Sequence, residues 1–270
     1  MTPLPLTWLY VPGDRPHVVT KALAAGADVV VIDLEDAVAP DRKEYARTAT
    51  AERLRAPQPV PVHVRVNALD GPWAAADLTT LAPLPGVSGL RLPKVTSPDQ
   101  IRQVAVASPL PLYALLESAL GIEHAYAIAT AHPSLRGVSL GEADLRADLG
   151  VRADAGLDWP RSRVVVAARA AGLAPPPQSV HPDIRDLDGL ADSCAHGRSL
   201  GFLGRAAIHP RQLPVIEEAY LPTPGEIEEA ETIIKAAAAD PGAQALADGR
   251  FIDAAVVATA RRTLSLARRC

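Results

Sequence analysis

The chain is 270 residues long and 48 % hydrophobic, enough for one large domain with a sizeable core. A net charge of -4, with 27 Lys and Arg against 31 Asp and Glu, and only 4 % aromatics exclude a basic, ring-lined surface for nucleic acid. Two distant cysteines (Cys194 and Cys270), no apolar run of the ~20 residues a membrane span needs, and no charged flank or apolar core in Met1–Leu6 point away from disulfide scaffolds, membranes and secretion, toward the cytoplasm.

The first apolar run, Trp8–Val11, leads into Gly13, Asp14 and Arg15. A helix over Arg15–Ala25 follows, with Pro16 in its first turn, where a missing N–H costs little, and Gly26 beyond its end. Val29–Ile32 is apolar at every position, as a strand buried on both faces must be, and leads to Asp33, Glu35 and Asp36. A helix over Asp41–Leu54 stops before Pro57. Val62–Val66 carries Arg65 and is followed by Asn67, and Leu90–Leu92 runs on to Lys94. Ser97-Pro98-Asp99 opens a helix over Gln100–Ala107. Leu112–Leu116 ends at Glu117, before a helix over Ser118–Ala131, and Val138–Leu140 ends at Gly141, Glu142 and Asp144. Helices over Trp159–Ala171 and Asp186–Ser199 bracket a weak run around Ser179–His181. A second weak run covers Phe202–His209.

Strand-like runs alternating with helices predict a parallel sheet with right-handed crossovers. Eight runs with polar ends predict an α/β fold of the TIM (β/α)8 barrel type, whose strand C-termini form the catalytic face. A doubly wound dinucleotide-binding sheet is the main competitor, and its Gly-x-Gly-x-x-Gly is missing. Pro210–Tyr220 reads as the last barrel helix. Beyond it come a helix from Thr223 through Ala239, a loop over Asp240–Arg250 and a helix from Ile252 to Arg268. A barrel domain is therefore expected at 1–221, and a C-terminal helical extension at 222–270 acting as lid or subunit-packing arm.

Glu117 and Asp144 follow strands that a barrel makes neighbours. Two close carboxylates repel, and a hard divalent cation relieves this best. Mg2+ takes one or two carboxylates and keeps its other positions for water and substrate oxygens. The alternative is ion pairing with Arg and Lys at the barrel mouth. Arg65 interrupts an apolar alternation; its planar fork suits a carboxylate or developing oxyanion, or else pairs with Asp33, Glu35 or Asp36. Glu35 and Asp36 either hydrogen-bond metal-bound waters or cap the next helix. Lys94 reads as a Schiff-base amine or a salt-bridge partner. His209 reads as a general base or a satisfied core histidine. Gly13 with Asp14-Arg15 offers backbone N–H groups at a helix start that hold an anion.

The segments Leu9-Tyr10-Val11-Pro12-Gly13-Asp14-Arg15-Pro16, Gly26-Ala27-Asp28, Asp33-Leu34-Glu35-Asp36-Ala37-Val38, Val64-Arg65-Val66-Asn67 and Leu92-Pro93-Lys94-Val95 form an ordered set. It continues through Leu116-Glu117-Ser118, Gly141 to Asp144, Asp148-Leu149-Gly150, Gly204 to Pro210 and Ile252-Asp253. Together these resemble the citrate lyase β-subunit (CitE-like) proteins of the HpcH/HpaI aldolase and malyl-CoA lyase superfamily, over almost the whole chain. The resemblance implies a Mg2+-dependent TIM barrel, usually a homotrimer, that cleaves or forms a C–C bond beside a thioester. It implies Glu117 and Asp144 as metal ligands, Glu35 and Asp36 on the metal's waters, and Arg65 steadying the oxygen on which charge develops. Arg15, Gly141 and Lys94 would join Arg65 in binding substrate. Asp253, from a neighbour's C-terminal arm, would act on the acetyl enolate. Three positions depart from the pattern: Ala143 rather than Glu precedes Asp144, Arg205 stands for Lys, and Gln178 for Asp.

The implied activity is cleavage of a citryl-, citramalyl- or malyl-thioester, carried on CoA or an acyl-carrier, to oxaloacetate, pyruvate or glyoxylate plus an acetyl thioester. Two other expectations stand beside it: a class II pyruvate aldolase acting on free hydroxy-acids, and a lyase subunit inactive without acyl-carrier and transferase subunits.

Overall fold

The computed structural model describes residues 4–239, 244–245 and 249–269; most of the loop expected over Asp240–Arg250 lies outside the described residues. The chain divides into two compact units, one of residues Pro5–Glu217 and one that begins at Glu218 and takes in Leu4.

In the first unit strands and helices alternate: β1 (Thr7–Pro12), α1 (Pro16–Ala22), β2 (Val29–Asp33), α2 (Lys43–Leu54), β3 (Val62–Arg65), α3 (Ala74–Leu81), β4 (Gly89–Leu92) and α4 (Pro98–Ala107). Then come β5 (Leu112–Leu116), α5 (Ala119–Glu123), α6 (Ala125–Ala129), β6 (Leu135–Leu140), α7 (Glu142–Leu149), α8 (Asp158–Ala170), α9 (Leu187–Leu200), β7 (Arg205–Ala207) and α10 (Gln212–Tyr220). The seven strands run parallel in one curled sheet, in the order β6-β5-β4-β3-β2-β1-β7. Every residue of β2 and β4 is buried, as strands covered on both faces require. The register sets Asp33 beside Arg65, Arg65 beside Arg91, and Arg91 beside Tyr113. A row of polar residues therefore crosses the sheet at one level.

Several expectations need correction. The weak run around Ser179–His181 forms no strand; an isolated parallel bridge joins Gln178 to Arg205. Pro175, Pro176 and Pro177 lack the N–H groups a ladder needs, so pairing starts late. A side chain supplies the link on the far side. Ser179 Oγ donates to the Leu140 carbonyl (2.6 Å) and accepts the Glu142 N–H (3.2 Å). The helix expected over Ser118–Ala131 is broken at His124 into α5 and α6. Asp144 lies in the first turn of α7 rather than at a strand end.

In the second unit α11 (Pro224–Ala239) starts with a reciprocal cap. The Thr223 hydroxyl accepts the Glu226 N–H (3.2 Å), and the Glu226 carboxylate accepts the Thr223 N–H (2.8 Å). β8 (Gln244–Ala245) and β9 (Phe251–Ile252) pair antiparallel, and α12 (Ala254–Ala267) closes the unit. Ala230 and Ile233 of α11 pack with Ile252 of β9 and Ala260 of α12, the two alanines letting the helices approach. No described helix is long and apolar enough to cross a membrane.

Candidate active site

Asp33, at the end of β2, anchors the loop that follows it. Its carboxylate accepts the N–H groups of Glu35 (2.9 Å) and Ala37 (3.1 Å) and receives the Arg65 fork at 2.8 and 2.6 Å. Arg65 Nη1 also stands 3.0 Å from Glu35 and 3.5 Å from Asp36. Lys94 adopts a left-handed φ of 53°, rare for a side-chain-bearing residue. That turn aims its Nζ at Glu35 (2.5 Å) and Asp36 (3.4 Å). Lys43 is buried beneath, donating to the carbonyls of Leu34 (2.8 Å) and Glu35 (2.7 Å). Of the two readings of Arg65, pairing with the acidic loop is realised with all three acids. Burial works against the Lys94 charge, but the hydrogen bond and charge of Glu35 hold its amine above the ordinary lysine value. A Schiff base needs a neutral amine, so the salt-bridge reading of Lys94 stands.

Glu117 ends β5, 4 % exposed, and its Oε2 accepts the Lys94 N–H at 3.2 Å. Burial, then the charges of Glu35 and Asp144, push its carboxyl up to about 8 against the pull of Arg65 and Lys94. Gly141 makes this placement possible. Its N–H bonds the Leu116 carbonyl (3.1 Å), and a Cβ there would lie 2.4 Å from Glu117 Cγ and 2.5 Å from its Oε1. Glu142 points elsewhere, clamped by Arg161 at 3.0 and 2.7 Å. Among the described residues no group of three or more His, Cys, Asp or Glu is arranged as a metal cage. A buried carboxylate crowded by acids is instead the donor set of Mg2+, which takes one or two carboxylates and leaves positions open. The residues present fit that ion.

A cavity of about 1470 Å³ opens here, its wall including Arg15, Asp36, Arg65, Arg91, Glu117, Ser139, Gly141, Asp144, Arg205 and His209. Of the backbone donors expected to hold an anion at Gly13 to Arg15, two are taken. The Gly13 N–H is spent on the Asp33 carbonyl (2.9 Å) and the Arg15 N–H on that of Pro12 (3.2 Å). Gly13 serves packing instead, since a Cβ there would meet Leu34 at 2.7 Å. His209 Nδ1 accepts the Arg211 N–H (3.1 Å). The departures Arg205 and Gln178 touch one another: Arg205 Nη1 donates to Gln178 Oε1 (3.3 Å) and to Ser193 (2.9 Å). Asp253 belongs to the second unit, where its carboxylate caps α12 through the N–H groups of Ala255 and Val256, both at 2.9 Å.

Sequence reasoning passed over Arg91, His63, Tyr113 and Arg161. His63 stacks on Tyr113 with ring centres 4.4 Å apart; burial, then Arg91, pull its imidazole well below the ordinary value and keep it neutral. Arg91 could have been found by the signal that marked Arg65, a charge inside an apolar run.

The sequence model of the family described as HpcH/HpaI aldolase/citrate lyase matches residues 6–210. A (3S)-malyl-CoA thioesterase of Cereibacter sphaeroides is 37% identical over 96% of this chain and 93% of its own. The protein CitE of Mycobacterium tuberculosis, crystallised with magnesium, acetoacetate and coenzyme A, superposes with a TM-score of 0.85 at 35% identity, covering 99% of both chains. A citrate lyase beta subunit from M. tuberculosis, complexed with oxaloacetate and magnesium, gives a TM-score of 0.72 at 36% identity, over 82% of this chain and 98% of that one.

Proposed function

The chain belongs to the HpcH/HpaI aldolase/citrate lyase family, and we propose that it is a Mg2+-dependent carbon–carbon lyase acting on a β-hydroxy acyl thioester. One observation carries this reading: Glu117, buried beside Glu35 and Asp144, sits where Gly141 alone leaves it room. The relatives' complexes with magnesium, coenzyme A and oxaloacetate support the same ion and substrate class here.

Glu117 and Asp144 would hold Mg2+, which supplies a Lewis acid and a template for the oxo-acid portion of the substrate. Glu35 and Asp36, fixed by Arg65 and Lys94, would accept hydrogen bonds around that ion. Arg65, immobilised by Asp33, presents fixed positive charge to the oxygen on which charge develops. Arg15 and Gly141 line the substrate's path, and Lys94 contributes charge. In cleavage the β-hydroxyl gives its proton to solvent water, its oxygen becomes the carbonyl of the oxo acid as the C–C bond breaks, and that bond's electron pair passes to the thioester enolate. Asp253 of a neighbouring copy protonates that enolate carbon. The sheet is read as a (β/α)8 barrel whose seventh stave is the Gln178–Ser179 segment. The residues after 221 are read as the arm that packs a cytoplasmic homotrimer.

Purified protein should cleave citryl-, citramalyl- or malyl-CoA to an oxo acid and acetyl-CoA with Mg2+ present, and stop with chelator or in Glu117→Ala and Asp144→Ala. Full activity in both variants removes the reading. Cleavage of the free hydroxy-acids alone makes it a class II aldolase. Turnover confined to a charged acyl-carrier makes it a complex subunit.

A further inference from the structure

Arg91 carries a buried charge for which the reaction above finds no use. It stands mid-strand in β4 and is 2 % exposed. Among the described residues no carboxylate pairs with it. Its hydrogen bond is a long one, from Nη1 to the Tyr10 hydroxyl at 3.4 Å, and its buried Nε has no partner. The guanidinium carbon lies 5.5, 5.8 and 5.9 Å from the ring centres of Tyr113, Tyr10 and Trp8. Those ring faces offset part of the cost of taking a cation out of water, but they do not neutralise it. His63, close by and neutral, adds no counter-charge. A buried charge kept without a partner is a standing cost to the fold, so something else must give it company.

The cavity supplies a route to that company. Arg91 forms part of the same wall as Glu117 and Asp144, and its strand neighbour in the register is Arg65. Both guanidiniums lie against the Tyr10 ring, Arg65 5.5 Å and Arg91 5.8 Å from its centre. The charges in and beside the cavity divide in two. Five acids, Asp33, Glu35, Asp36, Glu117 and Asp144, gather with Arg65, Lys94 and Lys43, whereas among the described residues no carboxylate pairs with Arg91, whose guanidinium lies against the rings of Trp8, Tyr10 and Tyr113. A ligand matched to both groups chelates a cation with one part and carries a free negative group on another.

We propose that Arg91 is a carboxylate-binding subsite in the wall of the cavity, holding the distal carboxylate of a dicarboxylic 2-oxo acid and selecting it over a monocarboxylic one. This rests on the reading of Glu117 and Asp144 as the site of the cation that the oxo-acid chelates.

Calorimetric titration of the intact protein with oxaloacetate and with pyruvate, each in saturating Mg2+, tests it without turnover. Wild type should bind oxaloacetate more tightly. Arg91→Met should weaken oxaloacetate about 10- to 100-fold, the range for losing a hydrogen bond to a charged group, and leave pyruvate within about twofold. Arg91→Lys, which keeps the charge if Met disturbs the fold, should restore part of the preference. Equal loss for both acids, or no loss for either, overturns the subsite while leaving the metal reading intact. Wild type that binds neither acid in Mg2+ overturns both.

Discussion

The Glu117 carboxyl, pushed up to about 8 from an ordinary 4.5, makes metal binding a proton-release reaction near neutral pH. Mg2+ affinity should tighten as pH rises from about 7 to 9, and calorimetry in buffers of different ionisation enthalpy should count close to one proton released near pH 7. The same shift acts on the metal-free fold. Between about 4.5 and 8 the folded chain keeps a proton that the unfolded chain gives up, so this group's contribution to stability falls as pH rises through that window. Glu117→Gln should therefore raise the Tm of metal-free protein at pH 8 and abolish the rise that Mg2+ produces in wild type; a lower Tm contradicts the assignment. Gly141→Ala, whose Cβ would collide with Glu117 at 2.4 Å, should fold but bind Mg2+ about 10- to 100-fold more weakly. At this scale the sequence is legible where a charge follows or interrupts an apolar run, as Lys94, Glu117 and Arg65 do. Arg91 obeys the second pattern, but Lys94 just beyond the same short run is the more conspicuous charge.

The elements that aim Asp144 are tied together by a charge network that starts just beyond β6, at Glu142, and runs through α8. Arg161 of α8 is 3 % exposed and bridges Glu142 in the first turn of α7 to Asp154 (2.7 Å) and Asp158 (3.2 Å). His196 of α9 joins through Asp158 at 2.9 Å. Hydrogen bonds from Arg161 lead in holding Asp154 at about 2, so its share of stability is present above about 3.8 and fades as pH falls toward 2. That share is small, since the Asp154 side chain is 64% exposed. Arg161 itself is buried, and Arg161→Met should cost about 1.5–3 kcal/mol in denaturant unfolding, from its lost hydrogen bonds to Glu142. A cost under about 1 kcal/mol contradicts the clamp. The alternation of strands and helices was readable from periodicity alone. The seventh position was not, since three prolines leave a bridge and a serine hydroxyl to do what a ladder does elsewhere. Nor was this clamp, because Glu142, Asp154 and Arg161 lie on helices and loops where charges are ordinary.

For the molecule as a whole, the C-terminal unit carries two parts of the proposal, subunit packing and the acid Asp253. Asp253 caps α12, so Asp253→Ala would mix a lost cap of about 1 kcal/mol with any chemical effect. Asp253→Asn keeps an acceptor for the cap. It should leave Tm nearly unchanged and Mg2+ affinity intact while lowering kcat about 10²- to 10⁴-fold, the range for losing a general acid. Light scattering should report three copies per particle. The central premise is prior to all of this: two carboxylates on neighbouring elements jointly hold one divalent cation. Titrating the metal-free protein with Mn2+ and following the free ion by electron paramagnetic resonance tests it most directly. One tight site per chain, lost in both Glu117→Gln and Asp144→Asn and tightened by pyruvate in wild type, is the predicted result. Wild-type binding retained in either variant, or no site at all, contradicts it.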